Sequence, residues 1–529
     1  MASRRDELNA YTFAKRRTVA AFLQPSANGT EEGAPRPLRT LLPGLVAGAL
    51  LVSGSGAWGL LSPQAPKGWD TAGAVVIVGK QSTTRYVVLP TTVNGTAQNR
   101  LHPVLNLASA RLLLDPQSSG KVLPIDDEVL DAGKPPRGPV IGIPYAPDRL
   151  PAKADAAKPK RWAVCQRPGG DGRGVQTAVF VLADREAALL DDAHRTTDTQ
   201  VLYVRGPGGA GERFLVDSTG TKYRLPEGRP DSGTLTTALV GPGATPQPVT
   251  EEWLATLDTG DDLGFPHLPG TAGATAAAPE LGSAGNRVGM VLSAQTGADT
   301  QYYVVLPDRV AWISEFVARL LIAAPATGAL GMHGRAREVD LQALRTGPET
   351  PGFEPGARWP RRRVAQVNRT TAASGAAPAA ERRDTVCNVL RSVDGRGTPT
   401  LSTWAGAGFP VDITASGTGS YVTPGTGLLY TQVQGRRADA GGALFLVTDT
   451  GLRYAVQANG DSDAERSGIG ARDPRDAGGT GDGRPEPSQA QARLGYGGIV
   501  PAPVPVAWSE FLSKGPRLDT NAARQPQGS

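Results

Sequence analysis

Cysteine and histidine are scarce in this sequence. Its 529 residues contain two cysteines and four histidines. The histidines, His102, His194, His267 and His333, are scattered without metal-ligand spacing, so no zinc site is predicted. The two cysteines, Cys165 and Cys387, allow one disulfide at most. In an oxidising compartment they would form it, and the alternative is two unlinked buried thiols.

Motifs for nucleotide binding and serine hydrolysis are missing as well. Gly120-Lys121 is followed by Val122, with no glycine at the required earlier position, so the sequence has no Walker A motif. The glycine-rich run at 206–211 lacks the Rossmann spacing and is interpreted as an ordinary turn. No Gly-x-Ser-x-Gly elbow precedes a helix. The net charge of +5 forms no basic stripe interleaved with aromatics, which excludes a nucleic-acid footprint.

One long stretch that is both uncharged and mostly apolar lies at residues 40–61, TLLPGLVAGALLVSGSGAWGLL. At about 1.5 Å per residue it is long enough to span a hydrocarbon core of ~30 Å. Basic residues are concentrated before it, and only Lys67 closely follows, so the positive-inside rule places the N-terminus in the cytoplasm. The sequence thus predicts a single-pass protein of the plasma (inner) membrane with a large extracytoplasmic part. A cleaved signal peptide and a soluble core helix are the alternatives.

Residues 1–39 form a basic arm on the predicted cytoplasmic side. Between Ser3 and Gln24, apolar residues recur at spacings of three and four, which is typical of an amphipathic helix with Ser3 as its cap. Such a helix can lie on an anionic membrane surface or dock on a cytoplasmic partner, and docking is the preferred interpretation. The residues expected to contact the partner are Tyr11, Phe13, Lys15, Arg16, Arg17 and Phe22.

The part of the chain after residue 61 repeats itself. The run YVVLP at 86–90 recurs at 303–307, and the hairpin pattern at 214–223 recurs at 445–454. PQPV with a tryptophan at 246–253 recurs as PAPV with a tryptophan at 501–508, and Val164-Cys165 matches Val386-Cys387. Because these matches keep their order along the chain, we expect an internal duplication. If the two cysteines bond to each other, the disulfide lies near the pseudo-twofold axis and clamps the halves together.

The predicted fold class is α+β, with four small ββα-type repeat modules around a mainly β central core. A strand pair with one helix buries too little surface to be stable alone, so the modules are expected to share that core. The predicted divisions are a cytoplasmic arm at 1–39, a transmembrane helix at 40–61, a periplasmic domain at 62–516 and a disordered tail at 517–529. Within the domain, the modules are placed at 74–115, 200–257, 287–322 and 428–512, and the core at 120–199 and 384–427. Residues 324–383 and 459–489 are expected to be mobile loops.

Several motifs together resemble one known family. They are Arg5-Asp6-Glu7, Tyr11-Thr12-Phe13 and Arg16-Arg17 near the start, Gly79-Lys80 before the run 85–89, LHPVLNLASARL at 101–112, the cysteine pair and the closing segment 503–508. The chain resembles the EccB family, the membrane core component of actinobacterial type VII (ESX) secretion systems.

The resemblance implies a non-enzymatic subunit with an elongated periplasmic domain and no cofactor. Its implied partners are the FtsK/SpoIIIE-type motor ATPase EccC, the multi-span EccD, EccE, a mycosin protease and further copies of itself. Some members carry an ATPase label, for which this sequence offers no nucleotide motif. The alternatives are a membrane-anchored extracytoplasmic ATPase or hydrolase and a cell-wall binding protein. Exposed aromatics at matching positions of the modules would favour wall binding, and Tyr86, Tyr223, Tyr303 and Tyr454 are the recurring ones.

Overall fold

The structure is a computed structural model of the chain. It describes residues 3–23, 38–61, 65–93, 95–118, 120–169, 174–208, 211–344, 352–354, 358–368, 383–413, 419–434, 442–457 and 489–527. Two compact units are present. One comprises Met1–Gly68, Gly79–Ser82 and Ile125–Lys134, and the other comprises Trp69–Val78, Thr83–Pro124 and Pro135–Ser529.

The α-helices, α1 to α12 in chain order, are Arg4–Leu23, Leu38–Leu61, Leu107–Leu112, Asp127–Asp131, Lys153–Ala156, Ser232–Val240, Glu251–Ala255, Gly282–Gly285, Glu315–Ala323, Gln489–Gln491, Val506–Ser509 and Thr520–Ala523. The strands, β1 to β24, are Val76–Gly79, Arg85–Val93, Thr96–Val104, Val122–Ile125, Arg161–Pro168, Val175–Leu182, Gln200–Arg205, Arg213–Val216, Thr221–Leu225, Gln247–Pro248, Asp258–Thr259, Val291–Thr296, Asp299–Val305, Val310–Ile313, Arg337–Glu338, Ala365–Gln366, Thr385–Val393, Pro399–Gly406, Gly419–Val422, Gly427–Val433, Leu444–Thr448, Leu452–Val456, Ala502–Pro505 and Ser513–Lys514. A π-helical turn follows α10 at Ala492–Tyr496.

The N-terminal unit contains the helix predicted for the basic arm. At its start the Ser3 hydroxyl accepts a hydrogen bond from the Arg5 amide, and the Asp6 carboxylate accepts one from the Ser3 amide. These two bonds cap the N-terminus of the helix, which explains why α1 begins at Arg4. The second helix, α2, carries Pro43 within its first turns. Within the residues that the structure describes, no helix is both long enough and apolar enough to cross a membrane.

A five-stranded sheet at the centre of the larger unit joins the two cysteine segments. Its order is β18-β17-β5-β6-β19, so the antiparallel pair β5 and β17 lies in the middle. Side chains alternate between the two faces of β5, as the period of a strand requires. Trp162 and Val164 pack into one hydrophobic cluster, and Ala163 and Cys165 pack into the other. The sheet therefore has an apolar layer on each side.

Four further sheets are present in the described part of the chain. The sheets β3-β2-β1-β4 and β14-β13-β12-β15 have the same strand order, and so do β10-β7-β8-β9-β11 and β23-β20-β21-β22-β24. The sheets β3-β2-β1-β4 and β23-β20-β21-β22-β24 share a core with α3. Val87, Leu112, Leu446 and Leu494 are buried in it. Another core lies between α6 and α9 and includes residues of β7, β8 and β9, and Leu235 and Phe316 are buried in it.

Some segments differ from their predicted structure. The expected disordered tail at 517–529 is wrong for residues 517–527, because Leu518 and Ala523 are fully buried in the core around α3 and the Gln527 amide bonds to the Val140 carbonyl. The expected mobile loop at 324–383 is wrong where it is described. There Thr327 and Val364 are buried and β16 pairs with β7. The other expected loop, 459–489, lies outside the described residues except for Gln489.

Candidate functional site

The basic arm is a helix whose residues are not buried. None of the residues of α1 is buried, and Tyr11, Phe13 and Phe22 have exposed fractions of 69%, 57% and 90%. Lys15, Arg16 and Arg17 are exposed as well. The apolar residues do not form one stripe. At about 100° per residue, Tyr11 and Phe22 lie about 20° apart around the helix, whereas Phe13 lies on the opposite side. Two different faces of α1 thus present aromatic side chains.

The cysteines form a disulfide in the middle of the central sheet. Cys165 and Cys387 are directly opposite each other in β5 and β17, with their Cα atoms 4.0 Å apart. Both are fully buried beside Phe180 and Trp404. The expected linkage is therefore present in the structure, and it joins strands that are 222 residues apart in sequence. A disulfide buried at this depth has no access to solvent, which favours a structural role over a catalytic one.

The surroundings of His102 also indicate a structural role. It lies in β3, not in a loop before a helix, and it is fully buried. Its Nδ1 lies 3.1 Å from the Pro139 carbonyl oxygen and its Nε2 lies 2.8 Å from the Thr91 hydroxyl. Since a carbonyl only accepts, Nδ1 carries the proton and the Thr91 hydroxyl donates to Nε2. Burial lowers the pKa of His102, which keeps the ring neutral.

The four recurring tyrosines are core residues. Tyr86, Tyr223 and Tyr303 are each 4% exposed, and Tyr454 is 1% exposed. The Tyr223 hydroxyl donates to the Asp217 carboxylate at 2.9 Å, and burial together with that carboxylate raises the pKa of Tyr223. The exposed aromatics expected of a wall-binding protein are thus not found at these positions.

A cleft of about 420 Å³ lies beside β8, β9 and α7. Phe214 and Leu254 form its apolar wall, and charged side chains line the rest. These are Glu212, Lys222, Arg224, Glu251 and Asp262. The Arg224 guanidinium bonds to both Asp262 and Glu212, and the hydrogen bonds from Arg224 hold the pKa of Asp262 below its usual range. The Lys222 ammonium donates to the Leu254 carbonyl at 2.7 Å, and burial lowers the pKa of Lys222.

The sequence did not single out this cleft. Gly206, which lines it, belongs to the glycine-rich run interpreted as an ordinary turn. A comparison of β7 with β20 could have located it, because Gln432, near the end of β20, stands at the position that corresponds to Gly206 just after β7. Across the described ranges, no three histidine, cysteine, aspartate or glutamate side chains are grouped so that they could hold a metal ion.

Comparison with known proteins gives a consistent result. The family described as "Type VII secretion system ESX-1, transport TM domain B" (EccB) matches residues 1–528. The ESX-3 secretion system ATPase EccB3 of Mycobacterium tuberculosis H37Rv is 28% identical over 521 residues, covering 91% of this chain and 82% of the relative. The ESX-1 secretion system ATPase EccB1 of Mycolicibacterium smegmatis MKD8 is 27% identical over 332 residues, covering 61% and 62%.

Solved structures share the fold. A chain of the intact ESX-5 inner membrane complex superposes with a TM-score of 0.55 at 20% identity, covering 100% of this chain and 96% of that chain. The EccB3 dimer from the ESX-3 core complex gives a TM-score of 0.52 at 22% identity, covering 85% and 99%.

Proposed function

This chain belongs to the EccB family of type VII secretion systems, and from that membership we propose that it is a structural subunit of a type VII secretion inner-membrane complex, taking part in protein export. The observation that carries the proposal is the family match, which extends over residues 1–528 and therefore includes the N-terminal arm and the larger unit alike. The similar solved chains come from an inner membrane complex and a core-complex dimer.

We also propose that residues 40–61 anchor the protein in the membrane, with the arm in the cytoplasm and the larger unit outside. The support is the uncharged sequence of this stretch and the basic residues before it. The anchor stays a prediction, and cysteine labelling tests it. With a membrane-impermeant maleimide, a Lys67→Cys variant should be labelled in intact cells, and a Thr12→Cys variant only after lysis. Labelling of both in intact cells would contradict this topology.

The proposed partners are those implied by the family: the motor ATPase EccC, EccD, EccE, a mycosin protease and further copies of this chain. The exposed aromatic and basic residues of α1 are the proposed contacts on the cytoplasmic side. The duplicated arrangement, with modules around the disulfide-linked sheet, is our interpretation of the matched strand orders.

We propose that the chain itself does not hydrolyse ATP, although its relatives are named as ATPases. The support is the missing Walker A motif, since a P-loop site needs glycines around the phosphates, a lysine and a hydroxyl for Mg²⁺. The test is ATP hydrolysis by the full-length protein purified free of other subunits. Activity at the level of a mock purification is expected, and turnover that rises with the amount of this chain would contradict the proposal.

The experiment that tests the structural role is affinity purification of the tagged protein from its own membranes in mild detergent, followed by mass spectrometry. A large particle containing the motor ATPase and the multi-span subunit is expected. A variant lacking residues 5–23 should remain in the membrane but lose the cytoplasmic contacts of that particle. Recovery of the unaltered protein alone would overturn the proposal.

A further inference from the structure

The cleft beside β8 and β9 has a filled counterpart in the second half of the chain. The sheets β10-β7-β8-β9-β11 and β23-β20-β21-β22-β24 have matching strand orders. Val216 pairs with Lys222 in the first, as Val447 pairs with Arg453 in the second. Lys222 therefore corresponds to Arg453.

The same register identifies the other positions around the cleft. Val204 pairs with Phe214, as Tyr430 pairs with Phe445, so Val204 corresponds to Tyr430. Two residues further along, Gly206 corresponds to Gln432. The helices after each sheet match through their buried tryptophans, Trp253 and Trp508, so that Leu254 corresponds to Ser509.

In the second half these positions form a closed polar network. The Ser509 hydroxyl is reached by Arg453 at 2.7 Å, by the amide nitrogen of Gln432 at 2.8 Å and by the Tyr430 hydroxyl at 2.7 Å. Tyr430, Arg453 and Ser509 are all buried. The Arg453 guanidinium also lies 5.2 Å from the centre of the Phe445 ring. The side chains themselves thus fill the space between strand and helix.

In the first half smaller side chains stand at two of the corresponding positions. Valine replaces tyrosine and glycine replaces glutamine, whereas leucine replaces serine, and a cleft of about 420 Å³ opens beside Gly206 and Leu254. The cation is retained, since the Lys222 ammonium lies 5.9 Å from the Phe214 ring centre, but the Leu254 carbonyl is its one hydrogen-bond acceptor among the described residues. An ammonium has three hydrogens to donate, so two are free for another acceptor.

The charges around the cleft select a neutral ligand group. Glu251 has no hydrogen-bond or ion-pair partner in the described part of the chain, although its charge favours the protonated form of Lys222. Lys222 and Glu251 thus line one cleft without touching. A carboxylate ligand would be repelled by Glu212, Glu251 and Asp262, and a cation by Lys222 and Arg224. An amide can bind both Lys222 and Glu251, because its oxygen accepts from an ammonium and its nitrogen donates to a carboxylate.

We propose that this cleft binds a polypeptide segment of a partner protein by receiving a glutamine or asparagine side chain at the place that Gln432 occupies in the second half. A second groove of about 340 Å³ continues from the cleft and shares Gly206, Pro207 and Glu251 with it. The combined groove leaves room for the chain on which the amide is carried. This inference does not depend on the proposed role in secretion.

Protection of Lys222 from acetylation tests the proposal on the full-length protein in detergent. Acetic anhydride is applied with and without the peptide acetyl-Ala-Gln-Ala-amide, and the exposed Lys514 of the second half is the internal reference. A peptide concentration ten times the Kd should slow acetylation of Lys222 about tenfold and leave Lys514 unchanged. The peptides with Glu or Ala in place of Gln should protect weakly. The proposal would be overturned if the Glu or Ala peptide protected Lys222 as well as the Gln peptide does. Protection by N-acetylglucosamine but not by the Gln peptide, or no protection at all, would overturn it as well.

Two variants link the protection to the cleft. Gly206→Gln should refill it, since a Cβ at Gly206 meets only the end of the Leu254 side chain, at 3.3 Å, and the Glu212 carbonyl, at 3.7 Å. Lys222 should then be protected without peptide. Gly395→Gln, at an open glycine in the turn between β17 and β18, should behave as the unaltered protein. Glu251→Ala leaves the cleft open at an exposed position and should weaken protection by the Gln peptide. Unchanged protection in Glu251→Ala would contradict the amide geometry.

Discussion

Arg111 and Arg493 hold each other's segments through main-chain carbonyls. The Arg111 guanidinium donates to the Leu494 carbonyl at 3.0 Å, and the Arg493 guanidinium donates to the Leu112 carbonyl at 3.1 Å. Leu112 is the last residue of α3, where helix carbonyls lack intrahelical partners. Arg319 of α9 acts in the same way on the Val364 carbonyl, also at 3.1 Å. An arginine of α3 and an arginine of α9 thus each fix a segment from later in the chain.

Replacement of Arg493 by methionine should loosen both partners of this pair. A hydrogen bond from a charged donor contributes about 1.5–3 kcal/mol, so a loss of that order in the free energy of unfolding is expected. Amide hydrogen exchange should become faster both in α3 and in residues 489–496. Arg517→Met, at a side chain that is 64% exposed, is the control and should change neither quantity. Faster exchange in residues 489–496 alone would show that Arg493 does not stabilise the end of α3.

Loss of the disulfide should cost much stability without changing the fold. Closing a loop of 222 residues is worth about 5 kcal/mol in the chain-entropy model, which is an upper figure. Guanidinium unfolding of Cys165→Ala, Cys387→Ala and the double variant measures the effect. If the bond is formed, all three variants should lose similar stability, because either substitution alone removes the linkage. Additive losses in the double variant would indicate two independent thiols.

Burial of His102 should make stability depend on pH in the weakly acidic range. Burial, and to a smaller degree the charge of Arg100, lowers the pKa of His102 from its usual 6.5, while the Pro139 carbonyl acts in the opposite direction. The unfolded chain therefore binds the proton more readily, and the contribution to stability is present above pH 6.5 and lost as the pH falls through the folded-state pKa. In His102→Gln the free energy of unfolding should change less with pH between pH 7.5 and pH 5. The exposed His267→Gln should keep the full slope, and an equal slope in His102→Gln would refute the assignment.

Local patterns in the sequence predict some elements well. The capping serine and the apolar spacing locate α1, and the matching positions of the cysteines indicate their pairing. Other elements depend on distant partners. Strand β3 has the sequence TAQNRLHPV, in which polar and apolar residues do not alternate. It nevertheless pairs with β2 along its whole length. Residues 310–313 form β14 because they pair with β13, and α9 begins only at Glu315.

The cleft shows why a binding surface is harder to predict than an element. Gly206 and Val204 have no unusual sequence context, and their importance depends on which residues they replace in the other half. That comparison needs the register of two sheets, which short matching motifs do not supply. The same limit applies to Asn368, which matches a glycosylation pattern but is fully buried with its amide bonded to the Tyr203 main chain.

The two aromatic faces of α1 lead to a prediction about how the arm docks. A partner groove contacts one stripe of a helix, because residues i, i+3, i+4 and i+7 lie on one side. Tyr11 and Phe22, eleven positions apart, share such a stripe with Lys15, whereas Phe13 lies opposite. We therefore expect Tyr11→Ala with Phe22→Ala to release the complex from the tagged protein in mild detergent, and Phe13→Ala to retain it.

The comparison of these variants separates docking from membrane binding. The three aromatic side chains, Tyr11, Phe13 and Phe22, are all exposed, so their removal leaves the fold of the larger unit unchanged. A helix lying on an anionic surface would depend mainly on total apolar area and on Arg16 and Arg17. Phe13→Ala would then also weaken membrane binding, although less than the double variant, which removes two aromatic side chains. Co-purification measured by quantitative mass spectrometry, with the membrane fraction of each variant as the reference, gives the answer. Loss of the complex in Phe13→Ala with retention in the double variant would place the docking surface on the opposite face, and no loss in either would refute docking through the aromatic residues of α1.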